Sequence, residues 1–140
     1  NILFGISPGL SFDFKSFLEG NQKDINFLIK KIKLLMSNGA KHFCILFDDI
    51  PNDFYKKVPQ VKEGIAHAKL VNQIIRNLNI PIFVVPRIYT DELVFENISY
   101  LDDFFEHVDE NIKVFYTGKN VVSENFGSKI QIINKMKKKK

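Results

Sequence analysis

Residues 43–49 read Phe-Cys-Ile-Leu-Phe-Asp-Asp, five apolar side chains followed at once by two carboxylates. An apolar run without alternation is typical of a strand that is buried on both faces, as in a parallel sheet covered by helices. Because an ionised carboxylate is costly to bury, we expect Asp48 and Asp49 to lie just past the end of this strand. The run therefore predicts a buried parallel strand with a polar site at its carboxyl end.

Strands and helices alternate on both sides of this run. Three further strands are predicted at residues 2–6, 80–85 and 112–116. Each strand is followed by apolar residues at helical spacing, which predicts amphipathic helices. The helical positions are Ile25, Leu28, Ile29, Ile32, Leu35 and Met36, then Ile65, Ala68, Val71, Ile74, Ile75 and Leu78, then Tyr100, Leu101, Phe104, Phe105 and Val108, and finally Ile130, Ile133 and Met136.

The predicted order βαβαβαβα indicates an α/β protein with a parallel sheet. We expect the first helix to be capped by Asn21 and to end at Gly39. Two architectures remain open, a doubly wound sheet and part of a (β/α) barrel. A complete barrel takes about 250 residues, and this chain has 140. Both architectures place the site at the carboxyl ends of the strands.

Composition excludes several classes of protein. The chain is 45% hydrophobic and contains 14 Phe, so it is not of the disordered class. No run approaches the roughly 18 apolar residues of a membrane span, so no membrane partner is predicted. A single Cys excludes a disulfide framework and a cysteine-rich metal site. No signal peptide is visible, which slightly favours the cytoplasm.

The net charge of +4 belongs to one end of the chain. Without the four lysines at residues 137–140, the sequence holds 16 basic and 16 acidic residues. A nucleic-acid-binding protein usually carries its basic excess on a folded face, so no nucleic acid partner is predicted. We interpret residues 135–140 as a basic tail, either a solvated helix end or the point where the sequence is cut.

Asp48-Asp49 is the strongest chemical feature of the sequence. Neighbouring residues of a strand point to opposite faces, so both carboxylates can meet one ligand only where the backbone turns, as Pro51 suggests. Mutual repulsion would raise one of the two pKa values, which suits a proton donor near neutral pH. Two alternatives remain open: a loop or cap carboxylate without chemistry, and a Mg²⁺ site formed by Asp48, Asp49 and Asp53.

Most other reactive side chains are expected to be structural. Tyr89 and Tyr116 follow strands, where aromatic rings either form pocket walls or pack at the rim. Ser7 lacks a nucleophile-elbow motif, which argues against a serine hydrolase. Surface or packing roles are predicted for His42, His67, His107 and Cys44.

Five motifs, taken in order, resemble the family 84 glycoside hydrolases, the β-N-acetylglucosaminidases that include the protein O-GlcNAcases. Together they run through nearly all of the 140 residues at matching spacing. The motifs are Phe4-Gly5-Ile6-Ser7-Pro8-Gly9-Leu10, Ile45-Leu46-Phe47-Asp48-Asp49-Ile50, Ala66-His67-Ala68, Pro86-Arg87-Ile88-Tyr89, and Val114-Phe115-Tyr116-Thr117-Gly118 with Val121-Val122-Ser123.

The resemblance implies a (β/α)8 TIM barrel, of which residues 1–140 form about four βα units, strands three to six. It implies a partial catalytic barrel whose remaining strands are on flanking sequence. It also implies retaining, substrate-assisted hydrolysis of β-linked N-acetylglucosamine. Asp48 would orient and polarise the 2-acetamido group, and Asp49 would protonate the leaving oxygen and then activate water. No metal and no organic cofactor is implied, and the partner is a GlcNAc-containing glycan or glycoprotein.

Two departures from the family pattern affect the pocket. The family's Pro-Thr-Glu-Tyr segment is Pro86-Arg87-Ile88-Tyr89 here, so Arg87 is expected to alter specificity, and Tyr116 replaces a Trp. Because of Arg87, one alternative remains open: a barrel that binds GlcNAc-type sugars without hydrolysing them. A Mg²⁺-dependent enzyme is a weaker alternative. The implied substrate-binding residues are Tyr89, Tyr116, Thr117, Gly118 and Ser123.

Overall fold

A computed structural model describes residues 2–122 of the chain. Within this range the backbone forms four strands, five α-helices and a 3₁₀-helix at Asp91–Glu96. The strands are β1 (Leu3–Ile6), β2 (His42–Leu46), β3 (Ile82–Val85) and β4 (Lys113–Val114). The helices are α1 (Phe14–Leu18), α2 (Lys23–Ser37), α3 (Phe54–Lys57), α4 (Glu63–Leu78) and α5 (Tyr100–His107).

The four strands form one sheet in the order β1-β2-β3-β4. Each neighbouring pair is parallel, with Phe43 of β2 paired to Phe4 on one side and to Ile82 on the other. The predicted α/β fold with a parallel sheet is confirmed. Because all four strands run the same way, the loops that follow them lie along one edge of the sheet.

Three predicted strands are longer than the observed ones, by one residue at the start of β1 and by more in β3 and β4. β3 begins at Ile82 rather than residue 80, because Asn79 adopts a left-handed φ of 50° and Pro81 has no N–H to donate to a ladder. β4 comprises two residues instead of five. The Phe115 N–H still bonds the Val84 carbonyl at 2.9 Å, after which the chain leaves the sheet toward Gly118.

The start of α2 differs from the prediction by one position. The cap residue is Gln22, and the predicted cap Asn21 instead accepts a hydrogen bond from the Lys23 N–H at 2.9 Å. Its predicted end is confirmed, since Gly39 follows the helix with a φ of 95°. The buried side of α2 comprises Ile25, Leu28, Ile29 and Ile32.

Three short elements were not predicted from the sequence: α1, α3 and the 3₁₀-helix. Helices of four or five residues are too short for an apolar periodicity and depend on tertiary packing. Phe14 and Phe17 of α1 and Phe54 of α3 supply that packing, since all three are buried in the core.

The strands bury alternate side chains most deeply. Ile45 in β2 and Val84 in β3 are fully buried and share one core cluster with residues of the helices. Of the intervening positions, Leu46, Phe83 and Val85 remain partly exposed, whereas Cys44 in the middle of β2 is buried. The sheet therefore has one face under the helices and a second apolar face that is less covered.

Several predicted features lie outside the described residues. These are the last helix with Ile130, Ile133 and Met136, the candidate ligand Ser123, and the basic segment 135–140. Across residues 2–122, no helix is both long enough and apolar enough to cross a membrane.

Candidate active site

Asp48 and Asp49 lie at the carboxyl end of β2, as predicted. The Phe47 N–H bonds the Val85 carbonyl at 2.9 Å, so pairing with β3 continues up to the residue before the aspartates. Asp48 is partly buried and Asp49 is exposed. Asp49 has a φ of 57°, in the left-handed region that non-glycine residues rarely adopt. The backbone turn that two converging carboxylates require is therefore present.

The loop after β1 supports the loop that carries the aspartates. Gly9 lies so close to Ile50 that a Cβ atom at position 9 would overlap the Ile50 side chain. The Ser7-Pro8-Gly9 turn thus packs against Ile50, the residue that follows Asp49. Glycine is required at position 9 because a larger residue would not fit. Its backbone conformation is not the reason, since its φ lies outside the left-handed region.

Tyr89, in the loop after β3, lies within electrostatic reach of the aspartate pair. Burial raises the pKa of Tyr89, and the negative charges of Asp49, Asp48 and Glu92 raise it further. The phenol is therefore neutral at physiological pH and able to donate a hydrogen bond. The partly exposed Tyr89 side chain thus lies within the electrostatic influence of both carboxylates, which follow the neighbouring strand β2.

The loop after β4 is bonded to the loop after β3. The Thr117 N–H donates to the Tyr89 carbonyl at 2.9 Å, and the next residue, Gly118, pairs with Thr90 in a parallel bridge. The buried Thr90 hydroxyl also donates to the Gly118 carbonyl at 3.0 Å. These bonds hold Thr117 and Gly118 beside Tyr89.

Tyr116 is mostly buried, with 9% of its surface exposed. Its hydroxyl donates to Asp91 Oδ1 at 2.5 Å. Burial raises the pKa of Tyr116, and the bond to the Asp91 carboxylate raises it further. The hydroxyl thus joins the end of β4 to the 3₁₀-helix that follows Tyr89.

Sequence reasoning did not single out Thr90, Asp91 or Glu92 as part of this edge. Glu92 accepts a hydrogen bond from the Val121 N–H at 3.2 Å. All three residues follow directly on Tyr89, so their position after a strand was a usable signal. Their partners, 25 or more residues away along the chain, were not visible in the sequence.

The expected direct effect of Arg87 on the pocket needs correction. Only 2% of its side chain is exposed, and the guanidinium is bound by Glu63 and Glu96. Burial alone would lower the pKa of Arg87, but these two carboxylates raise it. A buried cation requires such partners, and they direct the side chain into the protein interior.

The Mg²⁺ alternative finds no support in the geometry. Asp53 precedes α3 and pairs with Lys57 at 2.9 Å. Within residues 2–122, no group of three or more His, Cys, Asp or Glu side chains is placed to hold a metal ion. Asp48, Asp49 and Asp53 therefore do not form a shared ligand set.

A cavity of about 400 Å³ lies next to the site but does not include the aspartates. It lies between the loop after β1 and helix α3, and Phe12, Ile50 and Phe54 are among its lining residues. Asp48 and Asp49 directly precede Ile50 in the sequence, but neither of them lines the cavity. We assign the site from the chemistry of the strand ends rather than from this cavity.

The predicted packing role of His67 is confirmed, and it supports the aspartate-bearing strand. Its fully buried ring stacks on Phe47 with centroids 4.0 Å apart and planes 4° apart. Nδ1 is 2.8 Å from the Tyr100 hydroxyl. Burial, with a smaller effect of the Arg87 charge, lowers the pKa of His67 to about 3. The imidazole is therefore neutral at physiological pH.

This burial predicts a loss of stability in mild acid. Unfolded His67 has a pKa near 6.5 and folded His67 about 3, so its contribution is complete above pH 6.5 and is lost as pH falls toward 3. At pH 5 the loss should be about 2 kcal/mol. Urea unfolding at pH 7 and pH 5 should show a smaller pH effect in His67→Gln than in wild type. Equal pH effects in the two proteins would contradict the prediction.

Comparisons with known proteins agree with the fold and with the resemblance to this family. A family model described as beta-N-acetylglucosaminidase matches residues 1–140. The curated proteins named protein O-GlcNAcase from Mus musculus and from Rattus norvegicus are each 30% identical to this chain over 129 residues. The alignment covers 87% of this chain and 14% of each relative, so the chain spans about one seventh of their length.

Solved structures show the same similarity. A mutant of the Thermobaculum terrenum O-GlcNAc hydrolase is 26% identical with a TM-score of 0.81, and the match covers 99% of this chain and 30% of that one. A structure of CpGH84B is 28% identical with a TM-score of 0.75, covering 95% and 24%. The shared fold extends over nearly the whole chain.

Proposed function

The chain belongs to the β-N-acetylglucosaminidase family, family 84 of the glycoside hydrolases, and on this premise we propose that it hydrolyses β-linked N-acetylglucosamine with retention of configuration. The family and the relatives named above are glycoside hydrolases. A GlcNAc-containing glycan or glycoprotein is the substrate class that matches them. The aspartate pair after β2 carries the proposed chemistry.

The proposed reaction uses the substrate's own 2-acetamido group as nucleophile. Its carbonyl oxygen attacks the anomeric carbon and forms an oxazoline that is still protonated on nitrogen (an oxazolinium ion), while the bond to the leaving oxygen breaks. Asp49 gives its proton to that oxygen, and Asp48 accepts a hydrogen bond from the acetamido N–H. Water then attacks the anomeric carbon, Asp49 takes its proton, and the oxazoline opens. One carboxylate must be charged while the other is protonated, so their environments must differ.

The turn at Asp49 is the observation that carries this assignment. A left-handed φ of 57° is uncommon at a non-glycine residue, although aspartate tolerates it better than most, and such positions cluster at active sites. It ends the alternation of β2 directly after Asp48, so two adjacent carboxylates can face one ligand. The position beside Tyr89, whose pKa both aspartates raise, supports a shared pocket.

The pocket assignment extends to the neighbouring strand ends. We propose Tyr89, Tyr116, Thr117, Gly118 and Ser123 as the sugar-binding residues of this chain. The bonds from Thr117 and Gly118 to the Tyr89 loop support their grouping. Ser123 lies outside the described residues and enters through the family resemblance alone.

The four strands are proposed to be strands three to six of a (β/α)8 TIM barrel, with the other strands on flanking sequence. Sequential parallel order is the arrangement found in such barrels. The partly exposed apolar positions Leu46, Phe83 and Val85 suit a barrel interior, which is filled by side chains from all eight strands. Residues 1–140 would then be one part of the catalytic domain.

Turnover of an aryl β-N-acetylglucosaminide by the full-length protein tests this function. We expect hydrolysis that EDTA leaves unchanged, the β-anomer as the first product in proton NMR, and competitive inhibition by a thiazoline analogue of the oxazoline. Inhibition by EDTA would contradict the proposed chemistry. Saturable thiazoline binding without turnover would instead indicate a carbohydrate-binding barrel.

A further inference from the structure

Arg87 departs from the family motif, and its guanidinium is paired with carboxylates inside the protein. It follows β3 by two residues and precedes Tyr89 by two. The Arg87 Nε donates to Glu63 Oε1 at 2.5 Å, and Nη1 donates to Glu96 Oε2 at 2.6 Å. Glu63 is itself 4% exposed, so this is a charged cluster inside the protein.

The cluster spans the segment that contains Tyr89. Glu63 lies in the first turn of α4, and Glu96 is the last residue of the 3₁₀-helix. Asn97 adds a bond from Nδ2 to Glu63 Oε2 at 3.3 Å. Residues 87–97 are thus attached to α4 at both ends, with Tyr89 between the two attachments.

The backbone of Arg87 is held by a second contact. Its N–H donates to the buried Tyr100 hydroxyl at 3.1 Å, which leaves that hydroxyl proton for His67 Nδ1 at 2.8 Å. His67 in turn stacks on Phe47, the residue before Asp48. One continuous set of contacts therefore joins the Tyr89 segment to the base of the aspartate pair.

We propose that Arg87 is a positioning residue that holds residues 88–96 and so places Tyr89 beside Asp48 and Asp49, without itself contacting substrate. Its planar, bidentate guanidinium suits two carboxylates on different elements better than a lysine would. The catalytic part of this inference rests on the proposed function. The structural part, that the ion pairs order the segment, does not.

Hydrogen exchange tests the structural part in the full-length protein. Arg87→Met alone would leave Glu63 buried without its cation, so the main variant is Arg87→Met with Glu63→Gln. We expect amides of residues 88–97 to exchange about tenfold faster or more, with β2 amides unchanged. The matched control is Lys62→Met, which removes the neighbouring ion pair between the exposed Lys62 and Asp103 and should change neither region. Unchanged exchange at 88–97 would overturn the proposal whether or not the protein is active.

Kinetics test the catalytic part. The double variant should raise KM for the aryl glycoside about tenfold or more, with a smaller change in kcat. In a Tyr89→Ala background the same pair of substitutions should have little further effect, because Arg87 acts through Tyr89. Fully additive effects would overturn the positioning role. An inactive wild type with faster exchange in the variant would refute the proposed function while leaving the ordering of the segment established.

Discussion

Asp49→Asn is expected to lower kcat/KM on natural, poorly activated glycosides by about 10²–10⁴-fold. An amide cannot protonate the leaving oxygen, and the loss should be smaller with a nitrophenyl leaving group, which departs without a proton. Steady-state rates on a series of aryl glycosides of different leaving-group pKa would measure this difference. A loss that is equal for all leaving groups would argue against Asp49 as the acid.

Asp48→Asn separates the two roles within the same experiment. If Asp48 stabilises the acetamido group in the transition state, Asp48→Asn should lower kcat/KM by a similar factor for every leaving group. Asp53→Asn is the matched control, because this nearby carboxylate pairs with the surface residue Lys57. The control should keep nearly wild-type rates. Full activity in both site variants would refute the assignment of the pair.

Gly64→Ala is expected to destabilise the protein by about 2 kcal/mol. Gly64 lies in the first turn of α4, where an added Cβ would collide with the backbone at Tyr100 and Phe104 of α5. Backbone atoms cannot move aside without displacing α5. Helix propensity alone would favour alanine by about 1 kcal/mol, so the sign of the change identifies the cause.

Urea unfolding of the full-length variant measures this change. Lys69→Ala is the control, since Lys69 is exposed on the same helix and its replacement should alter stability by less than about 0.5 kcal/mol. Because α5 begins at Tyr100, Gly64→Ala should also weaken the contact to His67. An equal or higher stability than wild type would show that α4 and α5 are less tightly packed than described.

The sequence predicted features that depend on local chemistry. The helix end at Gly39, the buried β2 and the carboxylates just past its end each follow from the properties of a few neighbouring residues. The bounds of β3 and β4 were less accurate, because pairing depends on the neighbouring strand as well as on apolar content. Short helices such as α1 carry no periodic signal and were missed.

The sequence by itself determined the parallel α/β order and the position of the aspartate pair, because apolar burial and the cost of burying a carboxylate are properties of each residue. Only the tertiary structure decided that Arg87 turns inward to Glu63, 24 residues away, and that Tyr116 bonds Asp91, 25 residues away. The orientation of a charged or polar side chain depends on its bonding partners, and the fold determines which partners lie within reach. The left-handed φ at Asp49 was likewise visible only in the tertiary structure.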